Sequence, residues 1–141
     1  MIRRIGVAIL VMAFVGTVGV LLLSRRHAIA PIDPPARESF SAGSVARGEA
    51  LAAIGHCASC HTHAGGQPFA GGYAVNTPFG IVYGTNITPD LKTGIGMWPL
   101  EAFLRAMREG VARDGSHLFP AFPYNAYTKL TDDDLRACTH T

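Results

Sequence analysis

The stretch HCASCHTH, residues 56 to 63, sets two cysteines and three histidines within eight positions. Three chemistries use such side chains: a structural zinc site, a thiol/disulfide redox pair, and a haem fastened through two thioethers with a neighbouring imidazole under the iron. Zinc wants four ligands, usually from two separated pairs, but the only other cysteine is Cys138 and the other histidines are scattered. A thioredoxin-type pair sits at a helix start after a strand, in a βαβ context that this chain lacks. Covalent haem needs two thiols that reach the two vinyl groups on one porphyrin edge, followed at once by an imidazole. Cys57, Cys60 and His61 satisfy that spacing as C-x-x-C-H. Three fixed residues in five match by chance often enough that the rest of the chain has to decide.

The elements around this cluster supply the context. From Ile5 to Leu23 there are 19 consecutive residues without a charge, close to the roughly 20 that cross a bilayer as a helix. A cleavable leader is the rival reading, because AIA at 28–30 has the small-x-small form of a cleavage site. The apolar run is longer than a signal core, Arg25 and Arg26 intrude before the site, and Pro31 would follow the cut, so residues 1–26 are expected to stay as an anchor. Basic residues flank both ends, Arg3 and Arg4 against Arg25 and Arg26, so their count does not orient the span. Haem attachment outside the cytoplasm orients it instead, with the N-terminus inside and the domain outside. Residues 27–43 hold three prolines and little periodicity and are expected to form a semi-extended tether, or a loop packed on the domain. Beyond residue 37 the chain has seven basic and nine acidic residues, which argues against nucleic acid as a partner.

Residues 44–141 read as one domain. Ser44 is the expected N-cap of a helix ending at Gly55, and Gly48 inside it marks a close crossing by another backbone. Residues 64–96 are glycine-rich and non-helical, with a possible short hairpin in GYAVNTPFGIVYGTN; so long a loop in a compact domain suits a core filled partly by a cofactor. WPLEAFLRAMREG is the strongest helix signal, with Pro99 in its first turn, Gly110 past its end, and an expected buried face of Leu100, Phe103, Leu104 and Met107. Glu101, Arg105 and Glu109 lie four apart on its wet face. Thr131 followed by Asp132, Asp133 and Asp134 starts a last helix that stops after about two turns. No nucleophile elbow, framed carboxylate pair or phosphate loop suggests an enzyme.

The chain resembles bacterial c-type cytochromes, and more narrowly the membrane-anchored cytochromes and cytochrome subunits associated with alcohol, aldehyde and gluconate dehydrogenases. The resemblance is carried by ARGEALAAIGHCASCHT, by TPFGIVYGTNITPDLKTGIGMWPLEAFLRAMREGV and by DGSHLFPAFPYNAYTKLTDDDLRA, nearly all of residues 46–137. TNITPD with TGIG-x-W is far more specific than C-x-x-C-H alone. It implies an all-α, class I-like cytochrome c domain around one covalent haem c held by Cys57 and Cys60, with His61 as an axial ligand. It also implies a periplasmic one-electron carrier of the bacterial inner membrane. Electrons would arrive from a dehydrogenase or quinol-linked complex and leave towards a terminal oxidase.

Two departures from that family stand out. Relatives carry the second axial ligand as a methionine in P-A-M-P-Y, whereas position 122 here is Phe. In such folds the Trp98–Gly110 helix passes the distal haem face, which makes Met107 the candidate sixth ligand, with His117 or an open five-coordinate iron as alternatives. The open form would suit a haem sensor or small-ligand binder. The second departure is the ending, where relatives continue with a helix resembling DLRALYAYL. Deleting one C from a coding string for Ala-Leu-Tyr-Ala-Tyr-Leu reads out Ala-Cys-Thr-His-Thr, the last five residues here. A frameshift after Ala137 is therefore expected, which would make Cys138 and His140 accidents and the product a weakened or non-functional remnant. Sequencing the locus in close strains tests this: an undeleted reading frame supports it, and the same short ending throughout rejects it.

Overall fold

The structure, a computed structural model, describes residues 2–140. It is mostly helical: α1 (Ile2–Ser24), α2 (Ala42–Ile54), α3 (Cys57–His61), a hairpin of β1 (Ala74–Thr77) and β2 (Gly80–Tyr83), then α4 (Leu100–Glu109), α5 (Tyr124–Tyr127) and α6 (Asp132–Cys138). The hairpin is the one departure from an all-α chain among the described residues, with Ala74 opposite Tyr83 and Thr77 opposite Gly80. Within α1, Arg4–Ser24 is long and apolar enough to cross a membrane, and none of it is buried against the rest of the chain.

α2 begins three residues earlier than its expected cap. Ser41, in extended backbone, accepts from the Ser44 amide at 3.1 Å, so Ser41 and not Ser44 closes the first turn. Ser44 is used elsewhere: its hydroxyl lies 2.6 Å from His140 Nδ1, and the His140 ring stacks on Phe40 with centroids 4.0 Å apart. Burial, and then the nearby Arg136 charge, hold His140 below the usual histidine range. The main partner of α2 is α6, and Gly48 is the buried residue of α2, as a close helix crossing requires. Arg47 Nε donates to Asp134 Oδ1 at 2.8 Å across the same pair. Thr131 caps α6, its hydroxyl accepting from the Asp134 amide at 3.2 Å.

α4 starts after Pro99 and ends at Gly110, whose φ of 66° is the left-handed cap expected of glycine. A side chain there would also meet the Tyr124 ring at 2.8 Å. The expected buried face is corrected in one respect: Leu100, Phe103, Leu104 and Met107 are half-buried, and the deeply buried residues of α4 are Ala102 and Ala106. The helix packs on α5 and α6, where the small alanines allow close approach. The expected charge ladder on its wet face does not form either. Arg105 turns inward onto the carbonyls of His27 (2.8 Å), Ala112 (2.6 Å) and Arg113 (3.2 Å). Arg108 pairs with Asp132 at 2.6 Å. Buried carbonyls left by non-helical backbone need donors, and a guanidinium supplies several from one side chain.

The described core is small and rich in alanine. Its buried apolar residues are Ala102, Ala106, Val111, Ala112, Leu135 and Ala137, of which only Leu135 and Val111 are large. Phe79, Ile54 and Tyr83 stay 90%, 76% and 61% exposed, so the aromatic and aliphatic content of this domain is not spent on a protein-only core. Leu135 is therefore the residue on which α6 depends. Leu135→Ala is expected to cost about 2–5 kcal/mol in denaturant unfolding, and a loss below about 1 kcal/mol would show that α6 does not close the core.

Candidate functional site

The cysteine/histidine turn is a separate helix because the chain bends sharply before it. Gly55 ends α2, and His56 adopts the left-handed region at φ 52°, a conformation non-glycine residues enter at a cost. Cys57, Cys60 and His61 then lie on the single short helix α3, so the structure brings these three sequence-selected residues together. Cys57 is half-buried and Cys60 exposed. Burial is the main cause that pushes the Cys57 thiol above its ordinary value, and the nearby Cys60 charge adds to it.

Three backbone segments hold this turn from behind. Gly71 donates to the His61 carbonyl at 2.7 Å, His63 donates to the Gly71 carbonyl at 3.1 Å, and Gly72 donates to the Gly84 carbonyl at 2.8 Å. Gly84 backs directly onto the Cys60 carbonyl, where any Cβ would collide, and a Cβ at Gly71 would lie 2.6 Å from Thr85 backbone. Glycine is required at both places for the chains to approach so closely. Phe69, at φ 62°, joins the weave, accepting from Ile87 at 2.9 Å and donating to the Thr62 hydroxyl at 3.1 Å.

That packing delivers the Thr85 carbonyl to His61 Nδ1, 2.7 Å away. A carbonyl only accepts, so Nδ1 carries a proton, and in the neutral ring Nε2 then keeps its lone pair. The bond fixes ring orientation and tautomer together, as an imidazole that ligates a metal requires. Sequence reasoning missed Thr85, since a backbone carbonyl 24 positions away leaves no trace in residue type.

The motif TNITPD…TGIG has a local explanation. Asn86 Oδ1 accepts from the Thr88 amide (2.9 Å) and hydroxyl (2.7 Å), and its amide nitrogen donates to the Thr93 hydroxyl at 2.8 Å. Asp90 Oδ1 accepts from the amides of Lys92 (3.0 Å) and Thr93 (2.7 Å), and the Thr93 donors hold its carboxyl below the usual range. Gly94 and Gly96 back onto the carbonyls of Thr88 and Pro89, where a Cβ would collide. This knot follows immediately after Thr85 and braces the non-helical segment that presents its carbonyl.

Tyr127 was also missed. Its hydroxyl donates to the Gly55 carbonyl at 3.3 Å, and burial first, then charge on Cys57 and Cys60, raise its pKa. Phe122 packs on it with ring centroids 5.5 Å apart. Cys138 lies within electrostatic reach of Cys57, and burial with that neighbour and Asp134 pushes it up to about 11. Met107 is half-buried on α4, whose packing is chiefly with α5 and α6. His117 points to the end of α1, its Nε2 donating to the Ser24 carbonyl at 2.9 Å. Among the described residues no three His, Cys, Asp or Glu side chains converge as a metal-ion cluster. A cleft of about 360 Å³ lined by Ala52, Ala53, His56, Ala58, Ser59 and Phe69 receives none of the four candidate residues.

No family model matches this chain. It is 55% identical over 112 residues to a nicotinate dehydrogenase subunit of Pseudomonas putida, which covers 79% of this chain and 9% of that protein. It is 45% identical over 119 residues to the fructose dehydrogenase cytochrome subunit of Gluconobacter japonicus, 84% of this chain and 24% of that subunit. It is 52% identical over 93 residues to the gluconate 2-dehydrogenase cytochrome c subunit of Pantoea cypripedii, 66% of this chain and 21% of that subunit. The chain thus spans a quarter or less of the length of these curated relatives.

The exposure of the two thiols differs enough to be measured. In reduced polypeptide without an attached group, iodoacetamide is expected to modify Cys60 before Cys57 near neutral pH, because Cys57 is both shielded and harder to ionise. Peptide mass mapping of timed samples checks the order, and Cys57 reacting first contradicts this geometry.

Proposed function

We infer, from a chain similar to cytochrome c subunits of dehydrogenases, a one-electron carrier with a single haem c covalently held by Cys57 and Cys60. The residues fit that group by the chemistry of their donors: two thiols and an imidazole on one turn, with the imidazole tautomer already set. His61 is the proximal ligand through Nε2, and the observation that carries the reading is its Nδ1 bond to the Thr85 carbonyl. When bound, the group supplies the ferric/ferrous couple, and the protein supplies ligation, burial and an exposed edge. The half-buried apolar residues Phe103, Leu104 and Met107 on α4, with the alanine-rich core beneath them, support a domain that shares its interior with a large flat apolar body.

Met107 is the proposed sixth ligand. A thioether is a soft, neutral donor that holds iron in both oxidation states, so little rearranges when the electron moves. Phe122 favours a second reading. It stands beside Tyr127, whose hydroxyl holds the Gly55 carbonyl just before the cysteine turn, and has no lone pair to give, which suits an open iron that binds a small ligand. The domain class is class I-like, residues 1–26 anchor it, residues 27–43 lead from the anchor, and residues 44–141 form the haem domain on the periplasmic side of the bacterial inner membrane. α1 supports the anchor by length and composition. A dehydrogenase donates, directly or through a quinol-linked complex, and a terminal oxidase accepts.

The reading predicts a pigment that stays with the exported polypeptide through acid and organic extraction, with a mass increase of one haem. Cys57→Ser and Cys60→Ser are each expected to lower attachment, and His61→Ala to abolish stable incorporation. Met107→Ala should remove a thioether-to-iron band from the ferric spectrum and let carbon monoxide bind the reduced protein. Bare polypeptide in correctly exported material overturns the haem assignment, while rapid carbon monoxide binding by the unaltered protein overturns Met107 and favours the open iron.

A further inference from the structure

The segment that leaves α1 runs along the domain and is bonded to it at several points. The Ser24 carbonyl, at the last residue of α1, accepts from His117 Nε2 at 2.9 Å. Arg105 Nη1 donates to the His27 carbonyl at 2.8 Å. Ile29 and Arg113 bond reciprocally, the Ile29 amide to the Arg113 carbonyl at 2.8 Å and Arg113 Nη1 to the Ile29 carbonyl at 3.1 Å. Ile32 donates to the Met97 carbonyl at 3.1 Å. Gly115, at φ 88°, backs onto the Arg26 carbonyl, where a Cβ would collide. A linker that merely joins two bodies leaves its backbone to water. This one hands its carbonyls to two arginines and a histidine of the domain.

We propose that Ser24–Ile32 is a strap that clamps the domain onto the end of α1 in one attitude, with the loop tip Asp114–His117 at the level of the lipid headgroups. The proposal rests on reading α1 as a membrane span. The His117 bond ties this loop to the residue at which the apolar helix ends, which is the level where a spanning helix enters the headgroup layer. Arg25 and Arg26, both exposed, follow the end of the helix at the same level, where basic residues next to a span meet lipid headgroups. Arg105 and Arg113 also face inward here, so they fasten the strap and are not held out to an acidic protein partner. The consequence is a carrier whose haem domain has a fixed height and tilt above the bilayer.

The test uses the full chain in vesicles containing anionic lipid, with a fluorescent amino acid at the exposed Asn125 and, separately, at Ser116. Flotation with the vesicles is checked first; a chain left in the soluble fraction overturns the span, and the clamp with it. For chains that float, time-resolved anisotropy at position 125 compares two flexible Gly/Ser insertions of about eight residues. Placed between Ile32 and Asp33 the insertion leaves the strap docked and is expected to change nothing. Placed between Ser24 and Arg25 it separates the strap from the helix, and the residual anisotropy is expected to fall by about twofold or more as the domain wobbles freely. Gly115→Val, which pushes on the Arg26 carbonyl, is expected to act in the same direction. Equal behaviour of both insertions overturns the clamp even if Gly115→Val fails to fold. A quencher attached to lipid headgroups is expected to dim the probe at 116, and an undimmed probe overturns the lipid-facing loop.

Discussion

The hydrogen bond from His61 Nδ1 to the Thr85 carbonyl is the constraint around which the domain is arranged. An imidazole has two nitrogens and rotates about two side-chain bonds, so without a fixed acceptor neither its tautomer nor its direction is determined. Thr85 is an effective acceptor because its backbone is packed and bonded on both sides. Gly84 just before it is pressed onto Cys60, Gly71 is pressed onto Thr85 itself, and the Asn86–Thr93 knot just after it uses side-chain oxygens to replace the ladder bonds that a strand would have made. The glycine-rich middle of the chain is therefore rigid where composition alone suggests flexibility. Small residues there lower the distance between backbones, and the saved distance is what delivers a carbonyl to the ring.

The same economy appears in the helical half. Alanines at 102, 106 and 137 and glycine at 48 let helices approach closely, but close approach of small residues removes little apolar area from water. A core with two large side chains contributes modestly against the conformational entropy of the chain. Under the proposed function the deficit has a clear answer, since a covalently attached porphyrin brings its own apolar area and would be ordered at small entropic cost by two thioether bonds and one imidazole. Attachment would then favour the folded chain, because the apolar area of the attached group is buried only when the chain folds around it.

Much of this was legible in the sequence where the signal is local. The C-x-x-C-H turn, the α4 boundaries at Pro99 and Gly110, the Thr131 cap and the crossing at Gly48 all follow from residue type and spacing. Two serines three apart blurred the start of α2, because either can cap and only the distant demand of His140 on Ser44 decides between them. The amphipathic pattern of α4 marked its apolar side correctly but not its depth, since alanine carries weak hydropathy and packs deepest. Backbone acceptors left no mark at all: the carbonyls of Thr85, His27 and Arg113 have no residue-type signature, and neither do the arginines that seek carbonyls instead of carboxylates.

Under the proposed function, those inward arginines bear on how the domain would transfer an electron. A side chain that fastens backbone is held in one rotamer, and a chain of such bonds from Arg113 through Ile29 to His27 and Arg105 couples the strap to α4, the helix that carries Met107. On the proposed clamp, anchor attitude and the distal wall of the proposed haem site share one bonded element. A partner approaching in the plane of the bilayer would then meet the same face each time, so that the proposed strap would supply orientation in advance of any encounter. Restricting rotation in this way lowers the entropy left to lose on docking, and brief, weak contacts then suffice for transfer.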